Sequence, residues 1–195
     1  MFLFQPFTTP IYHNIIEDQE LVQQEIAGVV DEIKSKNGFK RNLASKCHSL
    51  SDPTFNSNIF TEYNIPGFKK QVEMNIMAYI GLLDRDYTDK FFIENSWIAL
   101  NEPGDYTHNH HHDSADISGV YYFKTNGNDG ELTFENPNRI SSVSLLYKSW
   151  QERFHFKPAV GNLLLFPGWL VHNVLTNESD EERISVSFNV VIKRG

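Results

Sequence analysis

Cysteine is almost absent from this 195-residue chain, in which Cys47 is the only one. One cysteine rules out an intrachain disulfide framework and favours a reducing compartment. Long hydrophobic runs are missing as well: the stretch LLLFPGWLV at 163–171 is about half the length of a membrane span and is interrupted by Pro167 and Gly168. The first residues, MFLFQPF, lack the basic flank of a signal peptide. We therefore expect a cytoplasmic protein that does not cross a membrane.

Positive charge is also in short supply. Lysine and arginine number 17 against 25 aspartates and glutamates, which gives a formal net charge of -8. This balance does not favour nucleic-acid binding through neutralised phosphates. Linker-like composition is missing too, since no repeat and no stretch rich in Pro, Gly or Ser divides the chain. With 40% hydrophobic residues, 15 Phe, 8 Tyr and 3 Trp, the composition is typical of one globular domain over residues 1–195.

Two segments in the first half of the chain have the spacing of amphipathic helices. The first runs from residue 18 to about 36, with Asp18 as its N-cap and Asn37-Gly38 as its stop. The second runs from 66 to about 83, with a proline in its first turn. The stretch SKCHSLSDPTFNSN between them is typical of a loop.

After about residue 90 the pattern changes to short strands separated by turn signals. The predicted strands are 91–100, 118–124, 130–135, 154–158, 162–167, 171–175 and 183–192. Short strands at this spacing are typical of an antiparallel sandwich or barrel, and helices followed by strands indicate an α+β fold. We therefore predict a helical part over about 1–90 and a strand core over about 91–195.

The last predicted strand has two different faces. Its residues alternate, with Ile184, Val186, Phe188, Val190 and Ile192 on one face and Arg183, Ser185, Ser187 and Asn189 on the other. The apolar face is expected to pack beneath the helices. The polar face then points inward with Arg183 and Ser185 side by side, which is typical of a ligand cavity rather than a filled core.

Half of the histidines lie in one short stretch. Of the eight in the chain, four fall within five positions of the segment THNHHHDSAD, residues 107–116. An internal run interrupted by Asn109 is not an expression tag. Three interpretations remain at this point: a solvated polar loop, a pH-sensitive patch or a metal site.

A further histidine, His172, precedes Arg183 by eleven residues, and the loop-like segment TNESDEE lies between them. This spacing predicts that the two residues lie on neighbouring antiparallel strands of one hairpin. Metal ligands at i and i+2 of an extended strand project to the same side, so that a pair from 107–116 could chelate one ion together with His172. An arginine nearby offers a planar fork for a buried dicarboxylate.

Three blocks in the second half of the chain, HHHDSADISGVYYF, GNLLLFPGWLVHNV and RISVSFN, occur in the order of a known signature. They resemble a branch of the 2-oxoglutarate- and iron(II)-dependent oxygenases, whose local pattern is H-x-H, S-G-V-Y-Y, F-P, H, R-I-S and F-N. The match is close over the C-terminal half and loose in the N-terminal helices. The resemblance implies a double-stranded β-helix (jelly roll, cupin-like) over about 91–195, with the N-terminal helices packed on one sheet.

The resemblance also implies a set of metal ligands, in one of two registers. Counted back from the S-G pair, the branch pattern gives His110, His112 and His172 as the metal-binding and catalytic centre. The pattern of the wider superfamily, H-x-D, instead fits His111 and Asp113 together with His172. The first register provides three neutral ligands and the second provides two histidines and a carboxylate. Branch spacing favours the first, and the sequence leaves both open.

For the co-substrate, the resemblance implies that Arg183 binds the distal carboxylate of 2-oxoglutarate. Ser185, on the same strand face, adds a hydroxyl donor, and Tyr122 resembles a tyrosine that many relatives direct at that carboxylate. The implied activity is hydroxylation of a substrate with Fe(II), 2-oxoglutarate and O2, with release of succinate and CO2. A protein side chain or a small molecule is the favoured substrate, and the oligomeric state is not indicated.

Two alternatives to this activity come from other classes of protein. One is a cupin-like metalloenzyme with three histidine ligands that does not use 2-oxoglutarate. The other is a jelly roll that binds a metal or a ligand without catalysis.

Overall fold

The computed structural model of the protein describes residues 8–36, 38–42, 47–49, 58–83, 90–138 and 152–193. In these ranges the helices are α1 (Gln19–Ser35), α2 (Ile59–Glu62) and α3 (Pro66–Leu82). The strands are β1 (Tyr12–Ile15), β2 (Lys40–Asn42), β3 (Cys47–Ser49), β4 (Phe91–Asn101), β5 (Thr107–His110), β6 (Ile117–Lys124), β7 (Leu132–Glu135), β8 (Arg153–Phe156), β9 (Asn162–Pro167), β10 (His172–Val174) and β11 (Arg183–Ile192). The long helices and the longer strands agree closely with the predicted segments.

Two antiparallel sheets face each other. Among the described residues, the large sheet has the order β1-β9-β6-β11-β4-β3-β2 and the small sheet has the order β5-β10-β7-β8. Side chains of both sheets meet in one buried apolar cluster, so the sheets pack face to face. The predicted α+β fold, a jelly roll with helices on one sheet, is confirmed.

The helices cover the outer face of the large sheet. One buried cluster joins the apolar sides of α1 and α3 to the alternating apolar residues of β11, which are Ile184, Val186, Phe188 and Val190. The strand period of two turns the other set of β11 residues toward the small sheet, as the sequence predicted. The central strand of the large sheet therefore has a helix-covered face and an inner face.

Contacts between the helices replace local capping at the two helix starts. Asp18 precedes α1 with a left-handed backbone (φ 51°) and its side chain makes no capping bond. Its carboxylate lies instead 3.5 Å from Nε2 of Gln71 in α3. The carboxylate of Glu25 in α1 accepts bonds from the backbone N–H groups of Gly67 and Phe68, at 2.9 and 2.7 Å. These donors in the first turn of α3 have no partner within the helix, so Glu25 fastens α3 onto α1.

The space between the two sheets is filled on one side and open on the other. The filled half lies under β6 and β9 and consists of Val120, Tyr122, Leu132, Phe134, Leu164, Phe166 and Leu170, all buried. The open half lies under β4 and β11. There the inward residues Trp97, Ala99 and Ser187 are partly exposed, although both strands have neighbours on either side. Solvent therefore reaches the middle of the inner face in the open half.

The expectation of a hairpin between His172 and Arg183 was wrong. His172 begins β10 in the small sheet, whereas Arg183 begins β11 in the large sheet. The segment between them crosses from one sheet to the other, and Asn177 holds the crossing in place. Its backbone N–H donates to the Asp105 carbonyl at 2.9 Å and its Nδ2 donates to the Asn101 carbonyl at 3.2 Å. The spacing therefore located the two strands correctly along the chain but wrongly assigned them to one sheet.

Four short strands were not predicted: β1, β2, β3 and β5. The stretch SKCHSLSDPTFNSN was expected to be a loop, but its residues 47–49 pair with β2 and β4. Its residues 45–46 and 50–57 lie outside the described residues. Strands of three or four residues are too short to show a clear alternation, and their pairing depends on neighbours distant in sequence. Among the helices that the structure describes, none is both long and apolar enough to cross a membrane.

Candidate active site

Three histidines converge between the two sheets. His110 ends β5, His112 follows two residues later, and His172 begins β10, where it pairs with His110 across the strands. One ligand nitrogen from each of the three side chains lies within 4.8 Å of the others. Imidazole nitrogens at such separations are able to share one transition-metal ion.

Backbone carbonyls fix the orientation of two of these rings. Nδ1 of His110 donates to the His108 carbonyl and Nδ1 of His172 donates to the Leu170 carbonyl, both at 2.8 Å. Because a carbonyl only accepts, Nδ1 carries the proton in each ring. The lone pair is then on Nε2, which is the arrangement that metal-binding histidines adopt.

His112 is held by a close approach between two loops. Its backbone N–H donates to the Gly168 carbonyl at 2.9 Å. A Cβ on residue 168 would lie 2.2 Å from the Ala115 carbonyl oxygen, so only glycine permits this contact. The ring of His112 stacks on Trp97 of β4, with centroids 6.0 Å apart and planes at 18°. His112 is therefore the histidine that faces the open half.

Burial keeps the three histidines neutral near pH 7. Removal from water, with a smaller contribution from the neighbouring histidines, lowers the pKa of His172 to about 3 and that of His112 to about 4. Burial also lowers the pKa of His110. Neutral imidazoles offer their nitrogen lone pairs to a metal without competition from protons.

The residues of the other register lie outside this group. His111 and Asp113 form a pair with each other, with Nδ1 and Oδ1 2.9 Å apart, and their side chains are 45% and 90% exposed. The group formed by the ligand nitrogens contains His110 and His112 instead. In this conformation only the branch register brings its members together with His172.

Arg183 closes the inner face of β11 at the opposite end from Asn189. Its side chain is 2% exposed, and its guanidinium donates to the Gly130 carbonyl and to Oδ1 of Asn101, each at 2.9 Å. Gly130 adopts a φ of +101°, which favours glycine and directs its carbonyl toward the arginine. Nδ2 of Asn101 is buried and has no hydrogen-bond partner among the described residues. A buried donor of this kind beside a cation fits an anionic ligand.

Tyr122 and Ser185 lie next to this arginine. They are cross-strand partners on the inner faces of β6 and β11, and both are buried. Burial raises the pKa of Tyr122 to about 12, against a smaller lowering by the positive charge of Arg183. The phenol therefore keeps its proton at neutral pH and remains a hydrogen-bond donor. The three predicted co-substrate residues thus lie together on the inner face of the large sheet. Ser187, two residues beyond Ser185 on that face, is the cross-strand partner of Trp97, which stacks on His112.

The family model described as "Putative 2OG-Fe(II) oxygenase" matches residues 95–189. The predicted resemblance to the 2OG-Fe(II) oxygenases is confirmed. The matched range covers close to half of the chain and includes the histidine group together with Tyr122, Arg183 and Ser185. Among curated protein sequences, none matches the chain significantly.

Solved structures share this fold over nearly the whole chain. A Pseudomonas putida prolyl-4-hydroxylase has 16% identity and a TM-score of 0.65, over 96% of this chain and 95% of its own. The epimerase SnoN from nogalamycin biosynthesis has 14% identity and a TM-score of 0.65, over 94% and 78%. The carbocyclase SnoK from the same biosynthesis has 13% identity and a TM-score of 0.65, over 96% and 83%. The TM-scores show that the fold is shared, and with identities this low the likeness is one of fold alone.

The oxygenase match agrees with the cofactors that were predicted. SnoN has also been solved as a complex with Fe3+, alpha ketoglutarate and nogalamycin RO. The family and the three-histidine group together confirm the predicted set of Fe(II), 2-oxoglutarate and O2. The assignment of individual residues to these ligands stays a prediction.

Two residues of the candidate site were not found from the sequence. Asn101 lies beside Arg183 because the two are cross-strand partners, and Trp97 covers His112 from β4. Only the strand register could have identified them, because neither belongs to the motifs.

Proposed function

We propose that the protein is an Fe(II)- and 2-oxoglutarate-dependent dioxygenase that hydroxylates its substrate and releases succinate and CO2. The observation that carries this proposal is a group of three neutral histidines between the sheets, together with a buried arginine on the inner face of β11. A redox metal needs ligands with open positions beside them, and a dicarboxylate needs a fixed cation at a suitable distance.

His110, His112 and His172 are the proposed iron ligands. The carbonyls of residues 108 and 170 hold two of the rings so that Nε2 is available, and Trp97 restricts the third ring by stacking. Three protein ligands leave coordination positions for the co-substrates and O2. The residues of the chain thus set the direction from which other ligands approach the iron.

Arg183, Ser185 and Tyr122 are the proposed co-substrate residues. The guanidinium pairs with the distal carboxylate of 2-oxoglutarate, and the two hydroxyls donate to it or to its neighbouring oxygens. Burial makes this pairing strong because little water competes for the charges. Asn101 holds the guanidinium in position from the next strand.

Bound iron(II) supplies the redox chemistry by which a substrate C–H group, O2 and 2-oxoglutarate are converted to the hydroxylated substrate, succinate and CO2. One atom of O2 enters the substrate and the other enters succinate. The protein excludes bulk water from the co-substrate end, where Arg183, Ser185 and Tyr122 are all buried. Because the fold is shared with an epimerase and a carbocyclase, hydroxylation is the part of this proposal that needs a product analysis.

We also infer that residues 1–195 act as one domain in a reducing, cytoplasmic setting. Packing of α1 and α3 on β11 supports one domain, and the single cysteine supports a reducing setting. The proposed substrate is a protein side chain or a small molecule.

Calorimetric titration of 2-oxoglutarate into the manganese-loaded protein tests the proposal. Saturable binding, followed by succinate formation with iron(II) and O2 once a substrate is supplied, is the expected result. The three neutral ligands also fit a cupin-like metalloenzyme that does not use 2-oxoglutarate. Absence of 2-oxoglutarate binding at millimolar concentration would favour that alternative or a binding protein and reject the oxygenase.

A matched pair of variants tests the metal site. His172→Ala is expected to lose tight binding of iron or manganese, because it removes a ligand on an inner strand. His155→Ala is the control, since His155 is exposed and its ring bonds to Glu131. Elemental analysis after gel filtration measures both. Equal metal content in the two variants would contradict the assignment of His172.

A further inference from the structure

A second polar row crosses the inner face of the large sheet, away from Arg183. Asn189 of β11 is the cross-strand partner of Asn95 in β4 and of Ser118 in β6. Oγ of Ser118 donates to Oδ1 of Asn189 at 2.9 Å, and Nδ2 of Asn189 donates to Oδ1 of Asn95 at 2.8 Å. We call Ser118, Asn189 and Asn95 the amide ladder. Ser118 and Asn189 are buried, whereas Asn95 is partly exposed.

The amide ladder adjoins the histidines at both of its ends. At one end, Ser118 is the cross-strand partner of Phe166, whose ring centroid is 4.8 Å from that of His172. At the other end, Asn95 is two residues from Trp97, which stacks on His112. Two residues of a strand span roughly 7 Å. The ladder therefore lies within one side-chain layer of the histidine group.

The inner face of β11 changes its chemistry along its length. Arg183 stands at one end with a positive charge, Ser187 stands in the middle beside Trp97, and Asn189 stands at the other end with a neutral amide. A dicarboxylate is attracted to the arginine end. A molecule at the asparagine end meets hydrogen-bonding groups without charge.

An uncharged ladder selects against charged ligands. A buried charge without a partner costs far more free energy than a buried neutral group that is hydrogen-bonded. Asn95 Nδ2 donates to no described residue, and Ser118 Oγ keeps accepting lone pairs beyond the bond that it donates. The donor at the partly exposed end of the ladder, Nδ2 of Asn95, complements the C=O of an uncharged amide.

We propose that the amide ladder binds the substrate to be oxidised, and that this substrate presents an uncharged amide, either a carboxamide or a peptide bond, to the ladder. This inference rests on the oxygenase function proposed above. It places the co-substrate and the substrate on opposite sides of the histidines, along one strand. Trp97 then forms the apolar wall against which the carbon skeleton of the substrate lies.

The test uses the manganese-loaded full chain saturated with 2-oxoglutarate, and it needs no turnover. Three probes of similar size are compared: N-acetylalaninamide, which is neutral, N-acetylalanine, which is an anion, and glycylalaninamide, which is a cation. Paramagnetic relaxation of the probe protons measures how long each probe stays near the metal. The neutral probe is expected to show the largest enhancement.

Two variants of Asn95 sharpen the test, because this residue is partly exposed and its replacement should leave the fold intact. Asn95→Ala should weaken binding of the neutral probe roughly two- to tenfold, the usual worth of one neutral hydrogen bond. Asn95→Asp should transfer the preference to the cation. Asn14→Ala is the matched control, because Asn14 makes a similar bond to Asn75 on the other side of the large sheet. Thermal unfolding of each variant verifies that it is folded.

Equal enhancement for the three probes, or unchanged binding of the neutral probe in Asn95→Ala, would overturn the inference. Calorimetry of 2-oxoglutarate on the same samples separates this result from failure of the proposed function. Normal 2-oxoglutarate binding without discrimination among probes rejects only the role of the ladder. Absence of 2-oxoglutarate binding rejects the oxygenase and the ladder together.

Discussion

The filled half and the open half of the interior are built from the same two sheets, yet one excludes water and the other admits it. In the filled half, large aromatic and aliphatic side chains from both sheets meet and exclude water. In the open half, Ala99 and Ser187 are too small to reach the small sheet, and solvent enters. The small side chains of Ala99 and Ser187 therefore contrast with the large ones on β6 and β9.

The histidines stand at the border between the two halves. His172 contacts Phe134 and Phe166 of the filled half, with ring centroids 6.2 and 4.8 Å away, while His112 contacts Trp97 of the open half. A close-packed wall holds a ligand in one orientation, and an open side leaves room for other molecules. The histidine group is therefore held rigidly on the filled side and accessible to other molecules on the open side.

The largest effect is expected from emptying the filled half. Phe134→Ala removes a ring that is 2% exposed, and the cavity left behind should lower the free energy of unfolding by about 3–5 kcal/mol. Metal affinity should fall with it, because His172 loses part of its support. Denaturant unfolding gives the first quantity and elemental analysis the second. Phe92→Ala, at a side chain 41% exposed, is the control and should cost clearly less.

The next largest effect is expected on 2-oxoglutarate affinity when Arg183 is replaced. Arg183→Ala should weaken 2-oxoglutarate binding by about thirtyfold or more, because loss of a desolvated charge pair typically costs roughly 2–5 kcal/mol. Arg183→Lys should be intermediate, since lysine keeps the charge but not the planar fork. Calorimetry on the manganese-loaded variants measures both. If Arg183→Ala bound 2-oxoglutarate with wild-type affinity and unchanged metal content, the co-substrate would bind elsewhere than at Arg183.

A pair of variants distinguishes the two possible registers of the metal ligands. His112→Ala should reduce metal affinity by more than the roughly ten- to hundredfold that loss of a supporting residue costs. Asp113→Ala should leave the affinity near that of the wild type, because the carboxylate is 90% exposed and pairs with His111. Manganese titration followed by electron paramagnetic resonance measures both. The reverse pattern would restore the ligand set of two histidines and one carboxylate.

The smallest effect is expected in the open half. Ser187→Ala removes only a hydroxyl from a residue that is already partly exposed, so the free energy of unfolding should change by no more than about 0.5 kcal/mol. Denaturant unfolding alongside Phe134→Ala makes the comparison direct. A loss of several kcal/mol at this position would mean that the open half is packed in solution.

The sequence was most informative where a pattern extended over many residues. The alternation along β11 predicted which side chains meet the helices, and the periodic apolar residues predicted α1 and α3 to within one residue at each end. The order of the histidine, F-P and R-I-S blocks predicted the family. These signals are local, and they agree with the structure because local preference and tertiary packing favour the same conformation.

The pairing of strands that are distant in sequence could not be predicted from such local patterns. Nothing in eleven residues of spacing says that His172 and Arg183 belong to different sheets, because a loop of that length serves a hairpin or a crossing equally well. Asn101 and Trp97 reach the site through the register of β4 with β11, which is set by the whole sheet. The residues that the sequence missed are therefore those whose position depends on a partner strand.

One further consequence comes from the place of β5 in its sheet. Among the described residues, β5 is an edge strand whose pairing with β10 consists of His110 with His172 and Thr107 with Val174, with an irregularity between them. A strand held by so few backbone bonds opens readily by local fluctuation, on a faster timescale than global unfolding. An ion bound between His110 and His172 would join this edge strand to the interior strand. Because the opened state cannot bind the ion, its population would fall. The rate at which the metal leaves should then follow the fraying of β5, and amide exchange along this strand should slow when the site is occupied.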